Sequence, residues 1–224
     1  MVIYTVITGS YDSIKQPQVV EEGVEYVLFT NNHNVQDGGV WKVVHIPSEQ
    51  WLGRSERENN ILLSRKVKML PHKYLPKECE QSIYVDADMV IKRPLTELLF
   101  NLHPETLFAA CRHSYCQSVS EEINDLKAKG MVNATQIENQ WQRYVEWGFR
   151  DDLGISENGL LIRMHSDRRV QSLMELWWSE YQQGCLRDQV SLMPCIYKAD
   201  FIPYFEFVEK NIRANEYLDV LKHL

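Results

Sequence analysis

The chain alternates short apolar runs with polar turns and longer amphipathic stretches. Three apolar runs near the amino terminus, at residues 2–7, 25–30 and 40–46, are rich in β-branched and aromatic residues, and each ends in polar residues or proline. Such runs predict strands. The same pattern predicts further strands at residues 82–92, 106–111 and 160–164, and one more after Phe201.

Helical periodicity is found between these runs. The predicted helices span approximately residues 56–72, a short segment after Pro94, residues 120–147 with an interruption at Gly130, residues 167–183, a segment from Leu186 onward, and a closing segment near the carboxyl terminus. Alternating strands and helices predict an α/β fold in which helices flank a mixed, mostly parallel central sheet. No repeat or linker divides the chain, so we expect one domain over residues 1–224.

Two aspartates interrupt the apolar run from Ser82 to Lys92. Asp86 and Asp88 are separated by Ala87, so on extended backbone both side chains would project to one side and present hard oxygen atoms to a divalent cation. Two carboxylates at the end of an apolar strand resist burial and repel each other. We therefore favour a metal or phosphate site here over an ordinary solvated strand end.

Composition narrows the class of protein. The 224 residues are 44% hydrophobic, which suffices for a substantial core, and the formal net charge is −7 without a long basic stripe. This balance argues against a general nucleic-acid binder. The five cysteines are odd in number and lack CxxC spacing, and no apolar segment is long enough to span a bilayer. We expect reduced thiols in a cytoplasmic protein, with peripheral attachment to the inner membrane face as a variant of this location.

Two other segments are candidates for binding a nucleotide. The loop after the first strand contains small and hydrogen-bonding residues and one aromatic ring, and it could be either a nucleotide shelf or an ordinary turn; its candidate residues are Thr8, Gly9, Tyr11 and Asp12. Arg65 and Lys68 lie three apart on one helical face. They could face a diphosphate or form a solvated basic surface.

Polar residues in the second half of the chain are suited to a sugar. Glu157, Asn158 and Gly159 come immediately before the strand predicted at residues 160–164, where they offer donors, acceptors and close backbone approach to hydroxyl groups. Asp188 and Gln189 lie near the start of a predicted helix. An aspartate in that position can also be a simple helix cap.

Taken together, ordered blocks across nearly the whole chain resemble a nucleotide-sugar glycosyltransferase of the GT-A architecture. The blocks are residues 4–15, 64–72, 82–92, 158–165 and 187–191, together with Gln140 and Tyr144. They look like the glycosyltransferase-like family named in plants for turgor-regulation-defect and mucilage-related proteins, which also has bacterial members. Residues 84–91, with Pro94 and Leu95, are also similar to the glycogenin and galactosyltransferase family, a retaining relative. The resemblance implies a Rossmann-like GT-A domain.

The resemblance also implies roles for the candidate residues. Asp86 and Asp88 match the Asp-x-Asp motif that holds Mn²⁺ or Mg²⁺ against the donor diphosphate, with Ala87 between them in the donor site. The remaining matches are the base-binding loop (Thr8, Gly9, Tyr11, Asp12), the basic helix beside the donor phosphate or sugar (Arg65, Lys68), and the surroundings of the transferred sugar (Glu157, Asn158, Gly159, Asp188, Gln189). The retaining relative has a third metal ligand in a His-x-x-Gly motif followed by lysine, which this chain lacks. His223 is the candidate in its place.

The implied activity is metal-dependent transfer of a hexose from a nucleotide diphosphate sugar, a UDP-sugar by analogy, to a saccharide or glycan acceptor. Retention of configuration is favoured by the family resemblance, whereas an inverting reaction would need Asp188 or Glu157 as general base. One alternative is a sugar-nucleotide-binding or lectin-like module without transfer activity. Another is a sugar nucleotidyltransferase, although Gly9-Ser10-Tyr11 is not the glycine-rich basic loop with which that class normally starts.

Overall fold

The strands and helices are given by a computed structural model, which describes residues 1–208, 212–213 and 215–221. The strands are β1 Val2–Val6, β2 Glu25–Thr30, β3 Lys42–His45, β4 Ser82–Val85, β5 Met89–Ile91, β6 Phe108–Arg112, β7 Ser156–Arg163, β8 Phe205–Phe207 and β9 Leu218–Val220. The α-helices are α1 Glu56–Met69, α2 Val119–Ala128, α3 Ala134–Glu146, α4 Arg168–Gln183 and α5 Asp188–Lys198. Short 3₁₀ helices lie at Pro71–Lys73, Leu95–Asn101, Asp151–Leu153 and Ile202–Tyr204.

Seven strands form the main sheet, in the order β3-β2-β1-β4-β7-β6-β8. The pairs β1–β2, β2–β3, β1–β4 and β6–β8 are parallel, whereas β7 runs antiparallel to both β4 and β6. The sheet is therefore mixed and mostly parallel, as the sequence predicts. None of the helices in the described part of the chain has the length and hydropathy of a membrane span.

Alternate residues of the central strands are buried on opposite faces of the sheet. Tyr4 of β1 and Tyr84 of β4 belong to a large apolar cluster that includes residues of all five α-helices. Ile3 and Ile83, their neighbours along the same strands, belong to a second cluster on the other face. This period of two is what extended backbone imposes. Burial on both faces explains why β1 is apolar apart from Thr5.

The predicted strand at residues 82–92 is wrong in one respect, because the chain changes sheets at the aspartates. β4 ends at Val85, a turn follows in which the Met89 N–H donates to the Asp86 carbonyl at 3.1 Å, and β5 then pairs with β9 in a separate two-stranded sheet. Asp86 and Asp88 thus lie in a turn rather than on extended backbone. Because β1 and β4 are parallel neighbours, this turn and the loop after β1 lie at the same edge of the sheet.

Two other boundaries also differ from the predictions. β7 begins at Ser156, so Glu157, Asn158 and Gly159 lie inside a fully buried strand rather than before it. The closing helix is wrong for the described residues, because the segment after Tyr204 forms the short strands β8 and β9 there.

Candidate active site

A cavity of about 640 Å³ lies at the edge of the sheet where β1 and β4 end. One face of α1 forms one side of it, and the end of α4 with the following loop forms another. Its lining residues are Val6, Ile7, Thr8, Ser10, Tyr11, Asp12, Glu56, Arg57, Asn60, Ile61, Ser64, Arg65, Tyr84, Asp86, Ala87, Asp88, Tyr181, Leu186 and Arg187. In a sheet of this kind, ligands bind beyond the carboxyl ends of the strands.

The cavity brings together seven of the residues singled out from the sequence: Thr8, Tyr11, Asp12, Arg65, Asp86, Ala87 and Asp88. Gly9 lines the adjoining groove, which shares Ser10, Glu56 and Asn60 with the cavity. The other described candidates are not among the lining residues: Lys68, Glu157, Asn158, Gly159, Asp188 and Gln189. His223 lies outside the described residues.

The loop after β1 is held against α1 by its small residues. Thr8 Oγ1 donates to the Asn60 carbonyl at 2.7 Å, and the Gly9 N–H donates to Asn31 Oδ1 at 2.7 Å. Gly9 has a φ of +61°, and a Cβ there would lie 2.7 Å from Asn60 Nδ2, so a larger residue would be strained and crowded. Tyr11, by contrast, is 62% exposed at the cavity. A tyrosine ring is a surface on which a flat base can stack.

Two hydrogen bonds orient the first aspartate of the turn. Asp86 Oδ1 accepts from Tyr84 Oη at 2.6 Å and from Lys68 Nζ at 3.3 Å. Burial, and then the charge of Asp86, raises the pKa of Tyr84 well above its usual range, so this phenol remains a donor. Both bonds fall on Oδ1. A Cβ on Gly159 would lie 2.2 Å from Met89 Cε and 3.3 Å from Asp86 Oδ2, so the absence of a side chain lets Met89 pack beside the aspartate.

The turn fits a divalent cation. Two carboxylates line the cavity within three residues, and Asp86 keeps 28% of its side chain exposed although Lys68 lies beside it. Carboxylate oxygens in a partly hydrated cleft are the ligands that Mg²⁺ and Mn²⁺ prefer. The Leu221 N–H donates to the Asp88 carbonyl at 2.8 Å, which places the end of β9 against the same turn.

A buried ammonium group connects Asp86 to Asp188. Lys68 is 1% exposed, and its Nζ lies 2.8 Å from Asp188 Oδ2 and 3.3 Å from Asp86 Oδ1, while Arg65 Nε lies 3.9 Å from Asp188 Oδ2. Burial alone would raise the pKa of Asp188, but the charges of Lys68 and Arg65 outweigh it and hold that pKa well below its usual range. Asp188 therefore stays ionised at any ordinary pH.

Two side chains from the sheet also hold the backbone of Lys68. Arg163 Nη1 of β7 and Tyr4 Oη of β1 each donate to the Lys68 carbonyl at 2.8 Å. This carbonyl lies in the last turn of α1, where helices leave acceptors without an internal partner. The negative end of the helix dipole also stabilises a buried cation at that position. The carboxyl end of α1 is thus held by residues of β1 and β7.

The polar residues of β7 have separate roles. Glu157 is paired with Arg213 at 3.1 Å and accepts hydrogen bonds from the Ser114 backbone at 3.2 Å and from its hydroxyl at 2.5 Å. It therefore ties the loop after β6 to the segment before β9. Asn158 Oδ1 accepts from Ser156 Oγ at 2.7 Å, whereas Asn158 Nδ2 is buried without a partner among the described residues.

The sequence indicates no role for the end of α4 or for the segment that joins it to α5, although both line the cavity. Tyr181 of α4 and Leu186 and Arg187 of the joining segment are lining residues. Leu186 has a φ of +58°, a strained value for a leucine that often marks a functional segment. Arg187 directly precedes Asp188 and belongs to the block 187–191 of the family resemblance, which gives it no role of its own. Tyr181 has the helical spacing of a core residue, so the sequence gives no sign that it lines the cavity.

A His–Cys–Glu cluster lies behind Arg187 rather than forming a second metal centre. The ligand atoms of His113, Cys116 and Glu122 lie within 4.8 Å of one another, and Glu122 Oε1 is 3.5 Å from Arg187 Nη2. His113 Nδ1 accepts from the Cys116 N–H at 3.0 Å, so its ring proton is on Nε2, which faces Glu122 at 3.7 Å. In that tautomer neither ring nitrogen has a free lone pair for a cation. Burial and the Glu122 hydrogen bond raise the pKa of Cys116 to about 12, which keeps the thiol protonated.

The model of the TOD1/MUCI70 glycosyltransferase-like domain matches residues 1–204. The chain belongs to this family. Membership confirms the resemblance that its blocks indicated and the class of enzyme, a glycosyltransferase. No curated protein matches the chain.

Solved structures of glycosyltransferases share the fold. An active-site mutant of the galactosyltransferase LgtC is 13% identical, with a TM-score of 0.50 over 92% of this chain and 72% of its own. Apo mouse xyloside xylosyltransferase 1 is 12% identical, with a TM-score of 0.51 over 92% of this chain and 83% of its own. At these identities the likeness shows the fold, which is the predicted GT-A architecture.

Proposed function

We propose that this TOD1/MUCI70 domain is a metal-dependent glycosyltransferase that moves a hexose from a UDP-sugar to a hydroxyl group of a saccharide or glycan acceptor. One observation supports this most directly. Asp86, Asp88, Arg65 and the exposed ring of Tyr11 meet in one cavity at the carboxyl ends of β1 and β4. Carboxylates for a cation, a guanidinium for phosphate oxygens and a ring for a base are together suited to a nucleoside diphosphate.

The proposed chemistry requires stabilisation of a leaving group. As the bond between the sugar and the diphosphate breaks, negative charge builds on the phosphate and the sugar becomes oxocarbenium-like. A divalent cation held by Asp86 and Asp88 would supply Lewis-acid stabilisation of that negative charge. Arg65 donates hydrogen bonds to the diphosphate or the sugar from the other side of the cavity. Gln189 Oε1, which is buried and has no partner in the described structure, is the acceptor proposed to face the positive sugar.

The two candidate bases favour retention of configuration. Asp188 is held by Lys68 at 2.8 Å and its pKa is lowered, and Glu157 is engaged by Arg213 and Ser114. A general base works best with a pKa near the operating pH, and Asp188 lacks it. In the retaining reaction the acceptor oxygen bonds to the anomeric carbon on the face from which the phosphate oxygen departs. The carbon–phosphate oxygen bond breaks, and the acceptor proton passes to that departing oxygen.

Two finer assignments belong to the same proposal. His223 is proposed as a third metal ligand, because it follows Leu221 by two residues and the Leu221 N–H donates to the Asp88 carbonyl. A cytoplasmic location is proposed because none of the five cysteines, all of which lie in the described part of the chain, forms a disulfide. Cell fractionation with an antibody to the natural protein would test the location.

Calorimetry with UDP, with and without Mn²⁺, tests the proposal. We expect UDP to bind only with Mn²⁺, and the wild type to hydrolyse a UDP-sugar slowly. Asp86→Ala should weaken Mn²⁺-dependent UDP binding by more than about 100-fold, the upper range for changes outside the ligand shell, and should abolish hydrolysis. Asp125→Ala, which removes an exposed carboxylate paired with Lys129, is the matched control and should change neither.

Four results would decide against parts of the proposal. UDP binding that ignores Mn²⁺, or full hydrolysis by Asp86→Ala, would reject the metal-dependent transferase. Binding of saccharides without any binding of UDP would identify a lectin-like module instead. An unchanged Mn²⁺ affinity in His223→Ala would remove His223 from the ligand set without affecting the rest.

A further inference from the structure

The cavity contains a buried hydroxyl group for which the described protein provides no partner. Tyr181 lies near the end of α4, its side chain is fully buried, and it nevertheless lines the cavity. Its Oη makes no hydrogen bond in the described structure. Buried hydroxyl groups in folded proteins nearly always have a partner, so each exception needs an explanation. A hydroxyl group without a partner on a residue of the cavity wall is explained if a ligand in the cavity reaches it.

The ring that bears this hydroxyl group is fixed. Tyr181 stacks on Trp178 with a centroid separation of 5.8 Å and an interplanar angle of 23°. Both residues belong to the main apolar cluster. Because the ring is held by packing, its Oη cannot turn away to find a partner elsewhere in the protein. Burial also raises the pKa of Tyr181 above its usual range, so the phenol keeps its proton and can both donate and accept.

The neighbouring polar atoms favour a sugar over a phosphate as the partner. Two further buried atoms without partners in the described structure, Arg187 Nε and Gln189 Oε1, lie within eight residues of Tyr181 along the chain, at the start of α5. A phosphate only accepts hydrogen bonds, so it could satisfy the arginine but never the glutamine oxygen. Sugar hydroxyl groups donate and accept, so they match both kinds of atom. Tyr181 and Arg187 line the cavity, whereas Gln189 follows them at the start of α5.

We infer that Tyr181 Oη hydrogen-bonds a hydroxyl group of the transferred sugar and so helps to determine which sugar this enzyme accepts. The inference rests on the proposed function and adds a specificity residue to it. The donor side of the cavity would then have two parts, one that binds the nucleotide diphosphate through Asp86, Asp88 and Arg65, and one at the end of α4 that binds the sugar.

Tyr181→Phe tests the inference, because it removes one oxygen atom and keeps the ring. In the free protein the variant loses an unsatisfied buried polar group, so its melting temperature should stay equal or rise. In the complex it loses a hydrogen bond, so the affinity for the correct UDP-sugar should fall about five- to tenfold. The probes are UDP, UDP-glucose, UDP-galactose and UDP-N-acetylglucosamine, each titrated with Mn²⁺. The measured quantity is the ratio of UDP-sugar affinity to UDP affinity.

Tyr26→Phe is the matched control. Tyr26 is 3% exposed and belongs to the cluster on the other face of the sheet, and its Oη accepts a hydrogen bond from the Glu21 N–H at 3.2 Å. Its removal breaks an existing bond, so the melting temperature should fall while every affinity ratio stays at the wild-type value. The two variants are thus expected to differ in the sign of the stability change and in sugar binding.

The outcomes separate this inference from the function on which it rests. If the wild type binds no UDP in the presence of Mn²⁺, the proposed function fails. If UDP binds but Tyr181→Phe leaves the affinity ratio unchanged for all three sugars, the inference is overturned and the function stands. An equal loss of UDP and UDP-sugar affinity would also overturn it, because the hydroxyl group would then contact the nucleotide part.

Discussion

A single lysine holds two acidic residues that lie 102 positions apart in the chain. Lys68 places its ammonium group between Asp86 and Asp188, with 1% of its side chain exposed. The geometry assigns it a role different from direct contact with a diphosphate, because Lys68 does not line the cavity, whereas Arg65 on the same helix does. Lys68 instead neutralises the charge of Asp188 and orients Asp86 through a hydrogen bond to Oδ1.

Lys68→Met should therefore be destabilising. The change leaves Asp188, 5% exposed, with the more distant Arg65 and Arg187 to balance its charge. Breaking a buried ion pair by removing one partner typically costs about 3 kcal/mol or more, so the free energy of unfolding in urea should fall by about that amount at pH 7. The pKa of Asp188 should rise.

Lys66→Met is the matched control, since it removes the same group two residues earlier on α1. Lys66 pairs with Glu49, and both side chains remain partly exposed, at 25% and 32%. Such pairs contribute about 1 kcal/mol or less. Equal losses in the two variants would show that burial does not distinguish the two ion pairs. Adding Asp188→Asn to Lys68→Met should restore part of the lost stability, because the unbalanced charge is then removed.

At the level of elements, the cavity depends on how α3 holds the segment between α4 and α5. Gln140 of α3 is 1% exposed, and its Oε1 accepts from the Cys185 N–H at 2.8 Å. Gly184 fits beside it only because it has no side chain: a Cβ there would lie 2.3 Å from Gln140 Nε2. The next residues, Leu186 and Arg187, line the cavity. Gln140 thus positions that segment.

Gln140→Leu should loosen the segment. The Cys185 N–H loses its acceptor, and an unsatisfied buried donor costs about 1–3 kcal/mol. Hydrogen exchange measured by mass spectrometry should become faster at residues 184–187, and urea unfolding should show a loss of that size. Gln183→Leu is the control, because Gln183 is exposed and bonds only to Ser179 within its own helix. Unchanged exchange at residues 184–187 in Gln140→Leu would contradict the positioning role.

The elements themselves were largely predictable because their periods are local. β1, β2, α1 and α4 occur within a few residues of the predicted ranges. The errors arise where tertiary structure decides. Residues on both sides of Asp86 are apolar and β-branched, so nothing local shows that β4 and β5 belong to different sheets. The apolar run predicts a strand only from residue 160, but pairing with Arg213 and Ser114 allows Glu157 to be buried inside β7.

The types of residue in the site could be predicted from the sequence better than their positions in space. The Asp86 turn, Arg65 and the loop at Thr8 could be recognised from the sequence, and the structure brings them together in one cavity. Spacing on a helix suggested that Lys68 shares the exposure of Arg65. A three-residue step falls 60° short of a full turn, and here that difference places Lys68 in the core. Tyr181 could not be found from pattern, because its missing hydrogen bond is a property of the fold alone.

At the scale of the whole molecule, stability should fall on mild acidification for a reason unrelated to the cavity. His165 follows the carboxyl end of β7, which pairs there with the start of β4 and so lies at the opposite edge of the sheet. Burial, and then the charge of Arg163, lowers the pKa of His165 to about 4. Because the folded pKa is below the unfolded value of about 6.5, the unfolded chain binds the proton more readily. Stability from this group is complete above about pH 6.5 and is lost progressively as the pH falls towards 4.

Asp188 affects the pH dependence of stability at a lower pH than His165. Its folded pKa is depressed, so its contribution is present above the unfolded value of about 3.9 and is lost only as the pH falls below that. Between pH 7 and pH 5 the His165 contribution should decrease by about 2 kcal/mol, while that of Asp188 stays nearly constant. Urea unfolding at these two pH values should thus show a smaller acid loss in His165→Gln than in the wild type, by about 2 kcal/mol. Mn²⁺-dependent UDP binding at pH 7 should be the same in both proteins, since His165 is remote from the cavity. Equal acid losses in the two proteins would mean that another group accounts for the pH dependence.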